Sequence, residues 1–110
     1  MNNVFKADHN ELEDMVSVEI MGFRKTPVNF HPCMDKHDAF EVVAEMRAEG
    51  FRFVLNDTGA QWRAAFVEIP DSLISQFLQP KQSITAWEDS LCVAICRSAL
   101  LAWKKRKGQK

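Results

Sequence analysis

Residues 90–105, SLCVAICRSALLAWKK, constrain the fold more than any other part of the chain. Their apolar side chains recur with helical spacing and cover most of the circumference of the predicted helix. A helix that is apolar on nearly all sides is not stable alone in water and has to be buried by other elements. The sequence therefore predicts that the rest of the chain packs around this C-terminal helix, which an Asp89 or Ser90 side chain caps.

The segments before this helix first show helical and then strand periodicity. One helical pattern begins near residue 10 and stops at Gly22, and a second runs from an N-cap at Asp35 or Asp38 to Gly50. The residues from 51 to 56 alternate between apolar and polar side chains, which is typical of a strand. A short turn separates them from a second alternating run at 61–69, so we predict an antiparallel hairpin.

The remaining segments are shorter. Residues 71–78 predict a helical turn between two prolines, and residues 83–88 predict a third, edge strand. We therefore expect one α+β domain over residues 1–110, in the order α-α-β-β-β-α, with a small antiparallel sheet of about three strands as the middle layer between amphipathic helices. Residues 1–9 are predicted to be a loose N-terminus and residues 104–110 a frayed basic tail.

Charge is distributed unevenly along the 110 residues. The first 50 residues carry 5 basic and 10 acidic side chains, and the other 60 carry 9 basic and 5 acidic ones, for a net charge of −1. This balance argues against general binding to nucleic acid or membrane, but the asymmetry favours an electrostatic partner surface. No secretory signal is expected from the N-terminal residues, and the composition is that of a cytoplasmic protein.

The cysteines and histidines offer a weak metal hypothesis. His31, Cys33 and His37 lie within seven residues, but their spacing fits no standard zinc finger, and a fourth ligand from Cys92, Cys96 or His9 would be distant in sequence. Cys92 and Cys96 share one face of the last helix, where small buried thiols usually pack like alanine. We therefore predict no metal and no cofactor.

Arg97 is the one charge inside the apolar run of the last helix. The commoner arrangement is an arginine whose stem lies along the surface while its guanidinium reaches water. The alternative is a structural ion pair or an anion-binding contact, for which Arg52 and Arg63 on neighbouring strands are further candidates.

Trp103 is the tryptophan expected to be exposed, since it lies late on the last helix beside the basic tail. Such a residue suits a protein partner or stacked bases. The tail, with Lys104, Lys105, Arg106 and Lys107, is usually a solvated end, and weak contact with nucleic acid is the sharper interpretation.

The acidic residues of the second helix, Glu41, Glu45 and Glu49, are a candidate contact for a basic host protein. Catalytic motifs are missing: the chain has no G-x-S-x-G, P-loop, G-x-G-x-x-G or H-E-x-x-H sequence. It has only four glycines, which leaves few backbone cradles for phosphate. We therefore expect a protein without enzymatic activity.

Three blocks of the chain resemble the phage ABA sandwich domain family, small proteins of phages and prophages. The blocks are VSVEIMGF at 16–23, HDAFEVVAEMRAEGFRFVL at 37–55 and AICRSALLA at 94–102. In that family a first helix ends in a similar M-G-aromatic, a second carries an A-x-E-V-V-like stripe before a strand, and the chain closes on A-I-C-R-x-A. The chain departs from the pattern at 71–83 and in its lysine-rich tail. The resemblance implies an α/β/α sandwich and an accessory protein of a bacterial virus, and it implies no catalytic residues.

Our leading hypothesis is a phage-encoded binding protein that blunts a host defence, like an anti-CRISPR inhibitor. Its target is either a host protein complex, engaged by the acidic half, or a nucleotide signal held by arginines. The alternatives are a nucleic-acid-binding accessory protein that uses the tail and a viral assembly protein, for which homo-oligomerisation would be the indication.

Overall fold

The computed structural model describes residues 8–25, 27–68, 82–84 and 88–107. They form the α+β fold that the sequence predicts: three helices and a three-stranded antiparallel sheet with the strand order β1-β2-β3. The predicted helical turn at 71–78 lies outside the described residues, as do residues 1–7 of the predicted loose N-terminus.

The first helix, α1 (His9–Met15), continues into a π-helical turn at Val16–Ile20. Asp8 caps it by accepting a hydrogen bond from the Glu11 N–H at 2.9 Å. Gly22, with a φ of 76°, ends the helix as predicted, because this left-handed conformation is unfavourable for residues with a Cβ atom.

The second helix, α2 (Lys36–Ala48), begins where its sequence indicates. Asp35 is the N-cap and accepts from the His37 N–H at 2.8 Å. Gly50, with a φ of 98°, allows the chain to turn from this helix into the sheet. The apolar stripe of the helix is buried as predicted, and it consists of Ala39, Val42, Val43 and Met46.

The predicted hairpin is present as β1 (Phe51–Asp57) and β2 (Trp62–Glu68), paired in one continuous antiparallel register from Phe51 opposite Glu68 to Asp57 opposite Trp62. Because strand side chains alternate between faces, Phe51 and Phe66 share the face that joins the core, and Ala65 lies on the other. The third strand, β3 (Gln82–Ile84), begins one residue before the predicted 83–88, of which residues 85–87 lie outside the described residues. Glu88 makes only an isolated bridge to Trp62.

The last helix, α3 (Leu91–Arg106), is capped by Ser90, which accepts from the Val93 N–H at 3.3 Å. It contacts β2 and β3 on one side and α1, its π-helical turn and α2 on the others. Ile95, Cys96 and Leu100 are completely buried. Among the described elements, the middle layer is therefore α3 and not the sheet that the sequence predicts. The helix can lie between the sheet and the other helices because it is apolar on the sides that face each of them.

The end of α3 differs from the prediction of a frayed tail. The helix continues through Arg106, and Lys107 is its C-cap residue, while residues 108–110 of the predicted tail lie outside the described residues. The last turn is held by contacts of Lys104 with Glu19 in the π-helical turn and of Arg106 with Glu49, the C-cap residue of α2. No helix within the described ranges is long and apolar enough to cross a membrane.

Candidate functional site

The loop between α1 and α2, residues 21–35, is attached to the core at several points; we call it the connecting loop. Phe30 and Cys33 are buried within it, and the Phe30 ring packs edge to face against Phe23 at 5.7 Å between centroids. The His31 N–H donates to the Asp38 carboxylate at 2.8 Å, which ties the loop to the first turn of α2. The loop is thus held on a rigid scaffold.

A buried carboxylate provides a further attachment of the loop. Glu13 on α1 has a side chain that is only 8% exposed, and its Oε2 accepts from the Cys33 N–H at 3.2 Å. Its Oε1 lies 3.4 Å from His31 Nδ1. Buried carboxylates need such partners because the loss of hydration is costly. Glu13 therefore determines how the connecting loop sits on the helices.

The outer side of the connecting loop carries exposed apolar side chains. Val28 is 94% exposed and Met34 is 74% exposed, while Phe23 retains 38% exposure. Met34 also borders an open depression that it shares with His31, Asp35 and Lys36. Large apolar side chains on a fixed loop with charged neighbours are typical of a protein-contact surface.

The three cysteines lie together beneath this loop. Burial and the neighbouring thiol of Cys33 raise the pKa of Cys96 well above its ordinary value, and burial raises the pKa of Cys92. All three are buried free thiols. The packing role predicted for Cys92 and Cys96 agrees with their position on the buried side of α3.

The histidines do not join this thiol cluster to form a metal site. His37 lies at the surface, with its Nε2 3.2 Å from Glu41, and His31 turns toward Glu13. Within the described ranges, no three His, Cys, Asp or Glu side chains are placed to hold a metal ion.

The arginine candidates do not form a single site. Arg97 is not directed into water, as its commoner arrangement predicts, but pairs through Nη1 with Glu88 Oε2 at 2.7 Å, and both side chains are about 15% exposed. The ion-pair alternative is therefore correct. Arg52 and Arg63 lie on the sheet face opposite α3. The sheet thus separates both from Arg97.

The acidic candidates on α2 have different surroundings. Glu41 is exposed beside His37, and Glu45 is half-buried. Glu49 lies 3.7 Å from Arg106 Nη1 at the end of α3. Only part of the predicted acidic contact surface is therefore available to a partner.

The predicted basic tail is mostly engaged within the fold. Lys104 pairs with Glu19 at 3.3 Å, and Arg106 also stacks on the Phe51 ring at 3.9 Å. Trp103, which was predicted to be exposed, is half-buried against the core, and the Lys107 ammonium lies 5.0 Å from its ring centroid. Lys105 and Lys107 are the exposed members of this group. The charge asymmetry is thus neutralised in part inside the molecule.

Sequence reasoning missed Glu13, Val28 and Met34. A signal for Glu13 was present, because Glu13, Val16 and Ile20 are spaced three and four residues apart and share one helix face. The exposed loop residues have no comparable signal, since an apolar side chain in an aperiodic loop can face either way.

Comparisons with protein-family models, with curated proteins and with solved structures found no match to this chain. The resemblance to the phage ABA sandwich domain stays a prediction, and function has to be inferred from the geometry of the site.

Proposed function

We propose that the protein is a small, non-enzymatic binding module of a phage or prophage that acts in the host cytoplasm and inhibits a host defence complex through protein contacts. The observation that supports this most is the exposure of Val28 and Met34, 94% and 74%, on a loop attached to the core. The viral part of the proposal depends on the family resemblance.

The connecting loop meets the physical requirements of a binding surface. Glu13 and the buried Phe30 hold the loop in place, so little conformational entropy is lost when a partner binds. Arg24, Lys25 and Asp35 are exposed in the same loop and supply a polar rim. Binding through Val28 and Met34 would then remove apolar surface from water.

The acidic start of α2 narrows the chemistry of the partner. Met34 precedes the N-cap residue Asp35, and Glu41 is exposed in the second turn of this helix. A partner with an apolar socket and basic side chains toward Glu41 complements this part of the surface, and Arg24 and Lys25 favour acidic partner groups elsewhere on it. Host defence proteins that bind nucleic acid carry basic surfaces of this kind.

The alternative targets have less support in the geometry. A nucleotide needs converging cations, but Arg97 is paired with Glu88 and lies on the other side of the sheet from Arg52. Nucleic-acid binding by the tail needs available cations, but Lys104 and Arg106 are paired with carboxylates.

The binding test compares three forms of the protein as bait in a lysate of the bacterial host. These are the wild type, the double variant Val28→Ser/Met34→Ser, and the control Val18→Ser, whose side chain is 47% exposed on the π-helical turn. We expect the double variant to capture at least about tenfold less partner than the wild type. Truncation of a central contact residue typically costs more than about 1 kcal/mol of binding free energy. Equal retention by all three proteins would contradict a role for the loop.

The defence part of the proposal is tested in cells. Expression of the wild type in a host with an active defence system should raise the plating efficiency of a restricted phage, and the double variant should not. The lysates that yield a binding partner identify the hosts to be tested. If neither the wild type nor the double variant changes the plating efficiency on those hosts, the counter-defence role is wrong, although the binding result remains valid.

A further inference from the structure

Among the strands that the structure describes, β1 forms a long edge of the sheet without a pairing strand on its outer side. In the order β1-β2-β3, β1 has a neighbour on one side only. It is seven residues long, contains neither proline nor glycine, and pairs with β2 without a bulge. Natural proteins usually protect such edges with prolines, bulges or several charges, because they readily pair with another strand. Arg52 is the only charged residue in β1 before its last position.

The hydrogen-bond pattern of the hairpin shows which groups face this edge. The Thr58 N–H donates to the Gln61 carbonyl at 3.1 Å, and the Gln61 N–H donates to the Thr58 hydroxyl at 3.0 Å, so these two residues occupy a hydrogen-bonded position of the ladder. Such pairs alternate along an antiparallel ladder. Trp62 exchanges two 2.7 Å hydrogen bonds with Glu88 on its other side, which agrees with this alternation.

Counting back from Thr58, the even-numbered residues of β1 bond to β2 and the odd-numbered residues direct their N–H and C=O groups away from it. The outward-facing residues are Phe51, Phe53, Leu55 and Asp57. In the part of the chain that the structure describes, their backbone groups make no hydrogen bond to another element. They are available for a further strand.

The side chains along this edge are mostly apolar on the face toward α3, and on the opposite face Val54 lies between the polar Arg52 and Asn56. Val54 is 40% exposed on the face opposite α3. On the other face Phe53 and Leu55 are partly exposed, and Phe40 of α2 is 44% exposed and packs edge to face on Phe53. A strand that docks here would gain both main-chain hydrogen bonds and apolar contacts.

We propose that the docked strand is β1 of a second copy of this chain, paired antiparallel with a two-fold axis at Val54. In this register Phe53 of each copy lies opposite Leu55 of the other, as a hydrogen-bonded pair, and Phe51 lies opposite Asp57 in the same way. All four outward-facing residues are then satisfied, and the two sheets become one sheet of six strands.

The sequence of β1 is complementary to itself in this register. The two Val54 side chains meet at a position without hydrogen bonds, where opposite side chains are closest. Arg52 lies opposite Asn56 of the other copy, so no like charges face each other. This match favours a second copy of the chain over an unrelated strand, because a two-fold interface needs a surface that is complementary to itself. The inference concerns a surface separate from the connecting loop and does not depend on the proposed function.

The test measures the solution mass of the full chain by light scattering and sedimentation. We expect the wild type to approach twice its 12.6 kDa mass as concentration rises. Val54→Lys and Val54→Glu should each halve that mass, because they place like charges opposite each other at the two-fold axis. An equimolar mixture of the two variants should regain the dimer mass. Val18→Lys, which changes an exposed valine on the π-helical turn, should stay dimeric.

Amide hydrogen exchange gives an independent measurement. In the wild-type dimer the Phe53 and Leu55 amides should exchange slowly, and in Val54→Lys they should exchange rapidly while the Val54-position amide stays protected by β2. Circular dichroism confirms that the variants are folded. A wild type that stays monomeric at all concentrations would overturn the proposal, as would a dimer that Val54→Lys leaves intact.

Discussion

At the scale of single residues, Glu13 has the largest structural consequence for the candidate site. Its neighbours Leu12 and Val16 are apolar and completely buried, so the carboxylate enters the core with the rest of the helix face. There it accepts from the Cys33 N–H, a donor that cannot reach water. One side chain therefore joins the folding of α1 to the conformation of the connecting loop.

Replacing Glu13 with alanine should lower the free energy of unfolding by about 2 kcal/mol, because the buried Cys33 N–H loses its acceptor. Urea denaturation followed by circular dichroism measures this change. Glu13→Gln keeps an acceptor oxygen and should therefore lose less free energy of unfolding than Glu13→Ala. The exposed Glu41→Ala is the matched control and should stay within about 0.5 kcal/mol of the wild type. Equal losses in Glu13→Ala and Glu41→Ala would mean that Glu13 does not hold the loop.

The buried thiol of Cys96 makes a second prediction at this scale. Its pKa is raised by burial and by the Cys33 thiol, so the folded chain keeps a proton that the unfolded chain releases above its ordinary pKa of about 8.5. The free energy of unfolding therefore falls as pH rises from the ordinary thiol pKa toward the raised pKa of Cys96, because the folded state binds more protons than the unfolded state there. Below the ordinary thiol pKa both states are protonated, and the protonated Cys96 thiol makes its full contribution to the free energy of unfolding.

Urea midpoints on either side of that pKa measure the effect. Cys96→Ala should make the alkaline fall in stability smaller, while Cys92→Ala, which changes a thiol nearer the surface, should change it less. The idea fails if the pH dependence of Cys96→Ala matches that of the wild type.

At the scale of elements, the last turn of α3 connects the two acidic helices. Lys104 reaches Glu19 at the end of the π-helical turn, and Arg106 reaches Glu49 at the end of α2 while stacking on Phe51. Cations also suit the C-terminal end of a helix, where the helix dipole is negative. These contacts explain why the chain stays helical where its composition predicts fraying.

Arg106→Ala should destabilise the protein by about 1 kcal/mol, from the lost cation–π contact and the packing of its stem. Lys104→Ala should cost about 0.5 kcal/mol, since a partly exposed ion pair contributes little. Lys105→Ala is the control and should have no measurable effect, because Lys105 is exposed on the same turn. Thermal and urea denaturation of the three variants measure how much each substitution destabilises the protein and so rank the three side chains. If all three variants match the wild type, the end of α3 is the frayed tail that its sequence predicts.

At the scale of the whole molecule, opposite charges of the two halves meet inside one fold. The acidic first 50 residues supply Glu19 and Glu49, and the basic remainder supplies Lys104 and Arg106. The asymmetry that suggests an external electrostatic partner is therefore satisfied in part by folding. Within the described residues, exposed apolar side chains are left on the connecting loop, at Val28 and Met34, and on the β1 edge, at Val54.

Local sequence patterns were sufficient for the elements and their order. The stripe on α2, the alternation in β1 and β2, and the apolar circumference of α3 are periodic, and the period of a segment follows from backbone geometry alone. Capping at Asp35 and the stop at Gly22 are equally local. The sequence by itself thus determined the α+β class and the burial of α3.

Only the tertiary structure decided which residues meet across distant segments. Glu13 and Cys33, Arg97 and Glu88, and Arg106 and Glu49 are pairs whose members lie on different elements. The placement of α3 between the sheet and α1 has the same origin, since an all-round apolar helix specifies that it is buried but not what covers each side. Periodicity reports the face of a residue, whereas its partner depends on how the faces pack together, and for this reason the candidate site became visible only in the folded chain.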